Sequence, residues 1–531
     1  MNSFAILILI GVIIWQLNKV GRRPKDYPPG PPTLPLLGNL HQIPDTKRHI
    51  QFEKWARQYG PVFSLMLGTK AMVVLNSDQA IKDLVDKRGA IYSSRPDAYI
   101  AQDILSGGLR VLFMPNSPTG VWKMVRKFLH QILSVSAART YVPYQDLENK
   151  AMLLGMLESP NNFIEHLRRY TASLTTQMTF GFRTTSIDDP RFKQAFDTAA
   201  MLDLLPILRQ LPDILLPIKK EGKKIHQNER KLFRNYYLET KEQLKVGRAK
   251  PCVCKDLVQM QAKEGFTDDL AAYISGSVLQ AGSETTASIL VGFVQAMIIW
   301  PEIAKAAQRE LDRVCGDRLP DLNDVPNLPY IRACAKESLR WMPGFFLGIP
   351  HAVTKDDSYM GYRIPKGAIV ILNVWGIHMD PKRHPDPRKF EPMRYIHDDQ
   401  SSLDAANNPD ASQRDHFVFG AGRRRCQGMH IADRSIYLAI SRLLWAFDFK
   451  RAVDPKTQQE IIPSMDDLAD GMMSLPHPFE AKIAPRSAHK AQCIREEWAE
   501  VSKLLDGVGQ WKEVPKGLIW NDEQAQAADL I

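Results

Sequence analysis

Cysteine is scarce in this chain: six thiols in 531 residues, at Cys252, Cys254, Cys315, Cys334, Cys426 and Cys493. That density excludes a disulfide-stapled secreted fold, and the thiols read as those of a reduced compartment. Cys252 and Cys254 flank a single valine, too tight a spacing for the usual zinc knuckle. No long Ser/Gly linker, low-complexity tract or internal repeat divides the sequence. One large domain is therefore expected, although length alone suggests two or three. Neither sign of charge dominates: 69 Lys and Arg against 59 Asp and Glu leave a net +10. No nucleic-acid motif accompanies the excess, so nucleic acid is a poor partner. The surplus reads as a solvated lysine-rich surface or as a docking face for an acidic partner.

What the chain does have begins at its N-terminus. Phe4 to Leu17 form one apolar run, followed by Lys19, Arg22, Arg23 and Lys25. The stretch before Lys19 would span about 27 Å as a helix at ~1.5 Å per residue, a match to the thinner endoplasmic reticulum bilayer. A cleaved signal peptide competes, but no basic region precedes the run and no small-residue cleavage site follows it. Cations on the C-terminal side place that side in the cytosol. Residues 1–27 are thus expected to form a single-pass anchor in the endoplasmic reticulum membrane, with the rest cytosolic. Pro28-Pro29-Gly30-Pro31-Pro32 cannot be helical, because proline lacks the backbone donor and blocks helix continuation. It reads as a stiff hinge.

Apolar residues make up 44% of the chain, ample for a sizeable core. Residues 61–75 pattern as a β-hairpin turning at Gly68-Thr69-Lys70. Ser77 can cap the next helix, where Ala80, Ile81, Leu84 and Val85 share a face. Most of 120–315 is helical in pattern, and short strands return near Gly367 to Val374. Asp268 to Trp300 contains no proline and reads as one helix, roughly 48 Å long at ~1.5 Å per residue. A second membrane span is the alternative for its apolar half, but Glu284 near the middle would be costly in lipid. Proline density rises from Pro381 to Pro392, and residues 429–447 form an apolar helix. Beyond residue 486 the chain is charged and carries no assigned chemistry. The fold class is mainly α with small β-sheets.

Just before that last apolar helix runs Phe419-Gly420-Ala421-Gly422-Arg423-Arg424-Arg425-Cys426-Gln427-Gly428. One cysteine in a glycine-punctuated, arginine-flanked turn can be presented as an axial thiolate to haem iron. Gly422 and Gly428 let the backbone take positive φ and pass close to a flat macrocycle. The arginines favour thiolate over thiol and can pair with haem propionates. The dipole of the following helix favours the thiolate as well. The bland alternative is a surface basic cluster beside a small buried thiol. The spacing Phe-x-x-Gly-x-Arg-x-Cys-x-Gly, carried by Phe419, Gly422, Arg424, Cys426 and Gly428, resembles the haem-binding signature of the cytochrome P450 family. The resemblance extends from about residue 28 to about residue 486, leaving 487–531 as a charged C-terminal extension. In texture it is nearest to the microsomal enzymes of fungal secondary metabolism.

The resemblance implies the cytochrome P450 fold and haem b ligated by Cys426, with Phe419, Arg424, Trp122, Arg126 and His351 as further cofactor contacts. Trp122 and Arg126 match the Trp-x-x-x-Arg helix; His351 follows Pro350 at a position that often meets a propionate. Ala281-Gly282-Ser283-Glu284-Thr285-Thr286 resembles the oxygen-activating helix. There the small Ala-Gly pair leaves room over the iron, and Glu284 and Thr285 are the catalytic acid and alcohol that deliver protons to dioxygen. Glu337-x-x-Arg340, with Arg394 from Phe390-Glu391-Pro392-Met393-Arg394-Tyr395, matches a structural triad behind the haem. Met393 and Tyr395 depart from the commonest Glu and Phe. Family position suggests Phe113, Leu204, Ile274, Ser277, Phe345, Phe346 and Met473 as walls around a lipophilic small-molecule substrate. The activity implied is insertion of one oxygen atom from O2. Electrons would come from NADPH through NADPH–cytochrome P450 reductase, since the chain shows no second nucleotide-binding domain. Arg423 to Arg425 with Lys123, Arg126 and Lys127 would face that partner. Two alternatives stand beside this. A P450-fold isomerase, dehydratase or peroxygenase would need no reductase, and the acid–alcohol pair argues against it. A non-catalytic haem-binding protein is disfavoured by the open Ala281-Gly282.

Overall fold

The computed structural model describes residues 17–116, 120–186, 217–469 and 471–516, with Val12, Trp15 and Leu518. The apolar run expected to anchor the chain lies largely outside the described residues, and Leu204 lies outside them entirely.

Local signals near the start form as expected. β1 (Val62–Leu67) and β2 (Lys70–Leu75) make the hairpin, with Leu67 opposite Lys70 and Gly68 at φ +57°. Ser77 Oγ accepts the Ala80 N–H at 3.1 Å, and Ala80, Ile81, Leu84 and Val85 are all buried. The sheet is completed from far along the chain. β4 (Ile369–Leu372) pairs parallel with β2, and β3 (His351–Ala352) pairs antiparallel with β4. The proline segment is not a free hinge. Ser64 donates its N–H to Pro29 O at 2.7 Å and its hydroxyl to Pro28 O at 2.6 Å. A Cβ on Gly30 would lie 2.1 Å from Ser64 O. Proline carbonyls with no intrasegment partner are satisfied by the sheet edge instead.

Eight helices carry the later description: α1 (Val121–Ile132), α2 (Val142–Glu158), α3 (Phe163–Phe180), α4 (Pro217–Lys245), α5 (Asp268–Ile299), α6 (Pro329–Trp341), α7 (Met429–Ala446) and α8 (Ala488–Ser502). Thr267 Oγ1 caps α5 by accepting the Leu270 N–H at 3.2 Å, and Asp268 and Asp269 sit at its positive dipole end. Among the described helices α5 is long and apolar enough to cross a bilayer, yet 78% of its most apolar window lies inside the protein. It is the central core helix, packed on α3, α4 and α7. Its second half, from Ile289 to Ile298, meets Leu167 and Tyr170 of α3 and Leu443 and Leu444 of α7. Each fully buried side chain of this kind contributes ~1.5–3 kcal/mol.

Residues 487–516 of the charged C-terminal segment pack as part of the same body. α8 lies on α2, and the following loop places Trp511 in the core with its indole N–H donating to Gln177 Oε1 at 2.7 Å. Gln177 donates in turn to Glu148 Oε1 at 2.7 Å. Fully buried Glu148 also pairs with Arg169 at 2.6 Å and Arg183 at 2.5 Å.

Candidate active site

The turn before α7 is built by its own backbone. Cys426 N–H donates to Phe419 O at 2.8 Å, and Gly422 N–H donates to Asp86 Oδ1 at 2.7 Å. Gly420 and Gly422 take φ of +65° and +60°. A Cβ on Gly422 would fall 2.2 Å from Val85 O, so only glycine fits. Gly428, expected to need positive φ, sits instead at −82° as the N-cap of α7, with its N–H directed to the Cys426 sulfur. Cys426 lies deep in the protein but is open on one side. Burial pushes its thiol up, while the Gly428 N–H and the Arg126 guanidinium pull it back. The run of arginines therefore does less for the thiolate than expected. Arg423 points to solvent and Arg425 donates to Asn407 Oδ1 at 2.8 Å.

Three guanidiniums converge beside this turn. Arg424 lies 3.8 Å over the Trp122 ring and donates to Ser93 O at 2.7 Å and Met114 O at 2.6 Å. Arg95 donates to Leu112 O at 3.0 Å, Ile349 O at 2.9 Å and Pro350 O at 2.6 Å. Arg126 donates to Arg425 O, closing α1 onto the cysteine turn. Among the described residues these bonds all go to carbonyls, not carboxylates. Burial pulls all three below the ordinary arginine range, and repulsion from Arg126 adds to it at Arg95 and Arg424. A guanidinium does not lose its proton in a protein. A cluster of uncompensated cations is consequently a site for an anion. His351 is buried, not a surface residue. Its Nδ1–H donates to Tyr92 O at 2.7 Å, and burial with Arg95 lowers it to about 3. It is a neutral imidazole that offers Nε2 as an acceptor and adds no charge to the cluster. One open thiol beside three unpaired cations is the donor set that haem requires: a thiolate for iron and positive charge for two propionates.

Across the core, α5 is buried at both ends and opens in its middle. Ser277 to Gln280, Gly282 and Thr285 are half-buried and Ala281 is exposed. Ala281 supplies the open surface; the missing side chain of Gly282 serves Thr175 of α3, whose Oγ1 would lie 2.8 Å from an added Cβ. Thr285 Oγ1 donates to Ala281 O at 2.5 Å, which leaves its lone pairs as acceptors. Glu284 is buried, about 100° further back around the helix. Its Oε2 stands 3.7 Å from Arg168 Nε, beyond hydrogen-bond length, and that Nε has no hydrogen-bond partner. Burial raises the Glu284 carboxyl above its ordinary range and Arg168 opposes the shift. The carboxyl holds its proton to a higher pH than an exposed glutamate.

The cytochrome P450 family model matches residues 28–482. The chain belongs to the cytochrome P450 family. Cytochrome P450 monooxygenase fogE of Aspergillus ruber is 62% identical over 99% of both chains. The monooxygenase virE of Hypocrea virens is 59% identical over 96% of this chain and 95% of its own. Among solved structures, a zebra fish cytochrome P450 determined with abiraterone gives a TM-score of 0.65 at 24% identity, covering 83% of this chain and 100% of that one. That likeness shows the fold. The protein is an enzyme, a cytochrome P450 monooxygenase.

The P450 triad is assembled as its motif implies. Arg340 Nε and Nη2 each donate to Glu337 at 2.7 Å, and both side chains are fully buried. Arg340 Nη1 reaches His378 O at 3.0 Å and Pro387 O at 2.9 Å. Arg394 Nε lies 3.4 Å from Glu337 Oε1, and Glu391 N–H donates to the same oxygen at 2.8 Å. The two departures are harmless: Met393 is 54% exposed, and buried Tyr395 donates its hydroxyl to Asp415 O at 3.2 Å. The pocket expectations divide. Ile274 is fully buried, and Phe346 packs 4.2 Å from His49 and 4.6 Å from Trp375 between ring centroids, so both are core residues. Phe113, Ser277, Phe345 and Met473 are half-buried. Sequence reasoning missed Arg95 and Arg168, because neither belongs to a motif and each meets its site from a separate segment.

Proposed function

We propose that this P450 inserts one oxygen atom from O2 into a lipophilic small molecule of fungal secondary metabolism, using electrons passed from NADPH by a flavoprotein reductase at the endoplasmic reticulum membrane. The observation that carries this is the pairing of an open Cys426 thiol beside unpaired cations with an accessible Thr285 hydroxyl on the core helix. When bound, haem supplies the one-electron and O2 chemistry, and a cysteine thiolate favours O–O cleavage. Cys426 would hold the iron; Arg95, Arg126 and Arg424 would hold the propionates, with Trp122 supporting Arg424 from below and His351 Nε2 accepting a hydrogen bond. Phe419 fixes the turn through its carbonyl.

The chain's own part in the reaction is proton management. Glu284 holds a proton on the α3 side of α5, and Thr285, the next residue, presents its hydroxyl on the open side. A carboxyl that burial holds protonated to a higher pH than an exposed glutamate can release that proton to a neighbouring hydroxyl and recover another from solvent on the half-exposed Arg168 side. The reductase reading is supported by exposed Lys123, Lys127 and Arg423 around α1 and the cysteine turn, a cationic patch suited to an acidic partner. The membrane reading is supported by the apolar N-terminal run and its basic flank.

Cys426→His tests the site directly. The reduced, carbon monoxide-bound wild type should show the strongly red-shifted Soret band of thiolate ligation, and the variant should lose it. Persistence of that band in the variant would place the ligand elsewhere.

A further inference from the structure

We infer that Arg110, Glu229 and Gln280 form a polar clamp at one end of the substrate space, which selects lipophilic molecules bearing a hydrogen-bond-accepting oxygen. The inference rests on the monooxygenase reading above. Arg110 Nη2 donates to both Glu229 oxygens at 2.7 Å, and Gln280 Nε2 donates to Glu229 Oε1 at 2.7 Å. These residues come from three segments: the loop after Ile104, α4 and α5. The loop is seated tightly on α4, since a Cβ on Gly107 would lie 3.1 Å from His226 Nε2 and one on Gly222 would lie 2.7 Å from Ile104 Cγ2. His226 Nδ1 meets the Tyr273 hydroxyl of α5 at 2.7 Å beside the clamp.

Position makes the cluster more than a surface ion pair. Gln280 precedes Ala281 and belongs to the open stretch of an otherwise buried helix. Half-buried Leu109 and Val111 flank Arg110 in the chain, and Val278 and Leu279 precede Gln280; charged groups beside such apolar side chains carry a desolvation cost that a purely hydrocarbon ligand would increase.

The balance of donors and acceptors says what the ligand must bring. Three of the roughly four acceptor positions of Glu229 are taken, with Oε1 accepting from Arg110 and Gln280 and Oε2 from Arg110, and the Tyr273 hydroxyl also interacts with the carboxylate. Arg110 Nε–H is buried without any acceptor, and its Nη1 reaches Gln280 Oε1 only at 3.4 Å. Gln280 has a second amide N–H. The Arg110 side chain is 20% exposed against 10% for Glu229, so the accessible side is the donor side. Donors exceed acceptors, and the missing partner is an oxygen of a carbonyl, hydroxyl or carboxylate. Gln280 and Thr285 are separated by one to two turns, so that oxygen lies roughly 5–8 Å along the helix from the oxidised carbon.

Three probes of one length test this on the haem-loaded, full-length protein: dodecane, 2-dodecanone and dodecanoic acid, titrated by the shift of the Soret band. Either oxygenated probe should bind at least tenfold more tightly than dodecane. Arg110→Leu with Glu229→Leu, which removes both charges together, should bring the ratio near one while the thiolate Soret signature persists. Gln280→Leu alone should lower the ratio about threefold and spread the positions of oxidation along 2-dodecanone; it decides the matter if the paired variant fails to load haem. A wild-type ratio near one, binding of none of the probes, or a ratio that survives the variants overturns the clamp. A wild type without the thiolate signature overturns the haem-thiolate reading instead.

Discussion

Glu337 and Glu284 are both carboxylates on core helices with an arginine in reach, and they end in opposite conditions. Glu337 receives two guanidinium bonds at 2.7 Å from Arg340 and a backbone N–H at 2.8 Å, with Arg394 3.4 Å away. Glu284 has one guanidinium nitrogen at 3.7 Å, too far to bond. Burial disfavours charge at both sites. At the first, Glu337 holds its partner Arg340 above the ordinary arginine range despite that arginine's own burial. At the second, burial pushes the Glu284 carboxyl up and Arg168 opposes the shift. Full coordination makes a buried acid structural; incomplete coordination leaves it a proton to give.

Breaking the coordinated pair should have the largest effect. Arg340→Leu strands a buried carboxylate, a loss of ~3–5 kcal/mol against a total stability of about 5–15 kcal/mol. Thermal unfolding should show a collapse in stability and Soret absorbance should show lost haem; an intact, haem-loaded variant would refute the structural assignment. Glu284→Gln should leave unfolding nearly unchanged yet slow product formation by ~100-fold. Because the Glu284 pKa is raised, activity that needs its proton is present at lower pH and declines as pH rises through that raised value. The glutamine variant should lack this alkaline limb, and a limb of unchanged position would assign the titration to another group.

Thr285→Ala sharpens the contrast on the neighbouring residue. Haem and substrate binding should persist, while the ratio of product to NADPH consumed falls by roughly tenfold, or ~1.4 kcal/mol, with hydrogen peroxide released in its place. The smallest effect belongs to Arg168→Gln. Removing the cation that opposes burial should move the alkaline limb to higher pH by less than about one unit, since a half-exposed charge is well screened. A shift to lower pH would show that Arg168 does not act on Glu284.

Much of the fold was legible because its signals are local. The hairpin at Gly68, the Ser77 cap and the limits of α5 follow from turn chemistry, capping and the absence of proline over a long apolar stretch. The cysteine turn was legible because several residue types recur at fixed spacing, although Gly428 caps a helix where positive φ was expected. The proline segment misled as a hinge, because proline reports its own backbone and not the strand that accepts its carbonyls. Ile274 and Phe346 misled as pocket walls, because an apolar residue reads alike in a core and in a chamber.

By itself the sequence determined which residues stand together: Cys426 in its turn and Glu284 and Thr285 side by side, proposed to carry the chemistry, and Glu337 three residues before Arg340 in the structural triad. These are short-range relations that covalent spacing enforces. Tertiary structure alone decided how each is coordinated. Arg95, Arg126 and Arg424 become one cation cluster only when three segments meet, and Arg168 reaches Glu284 only because α3 crosses α5 where Gly282 admits Thr175. Whether a buried acid is saturated or left short of donors depends on distances of a few tenths of an ångström between segments far apart in the chain, and no spacing within one segment encodes them.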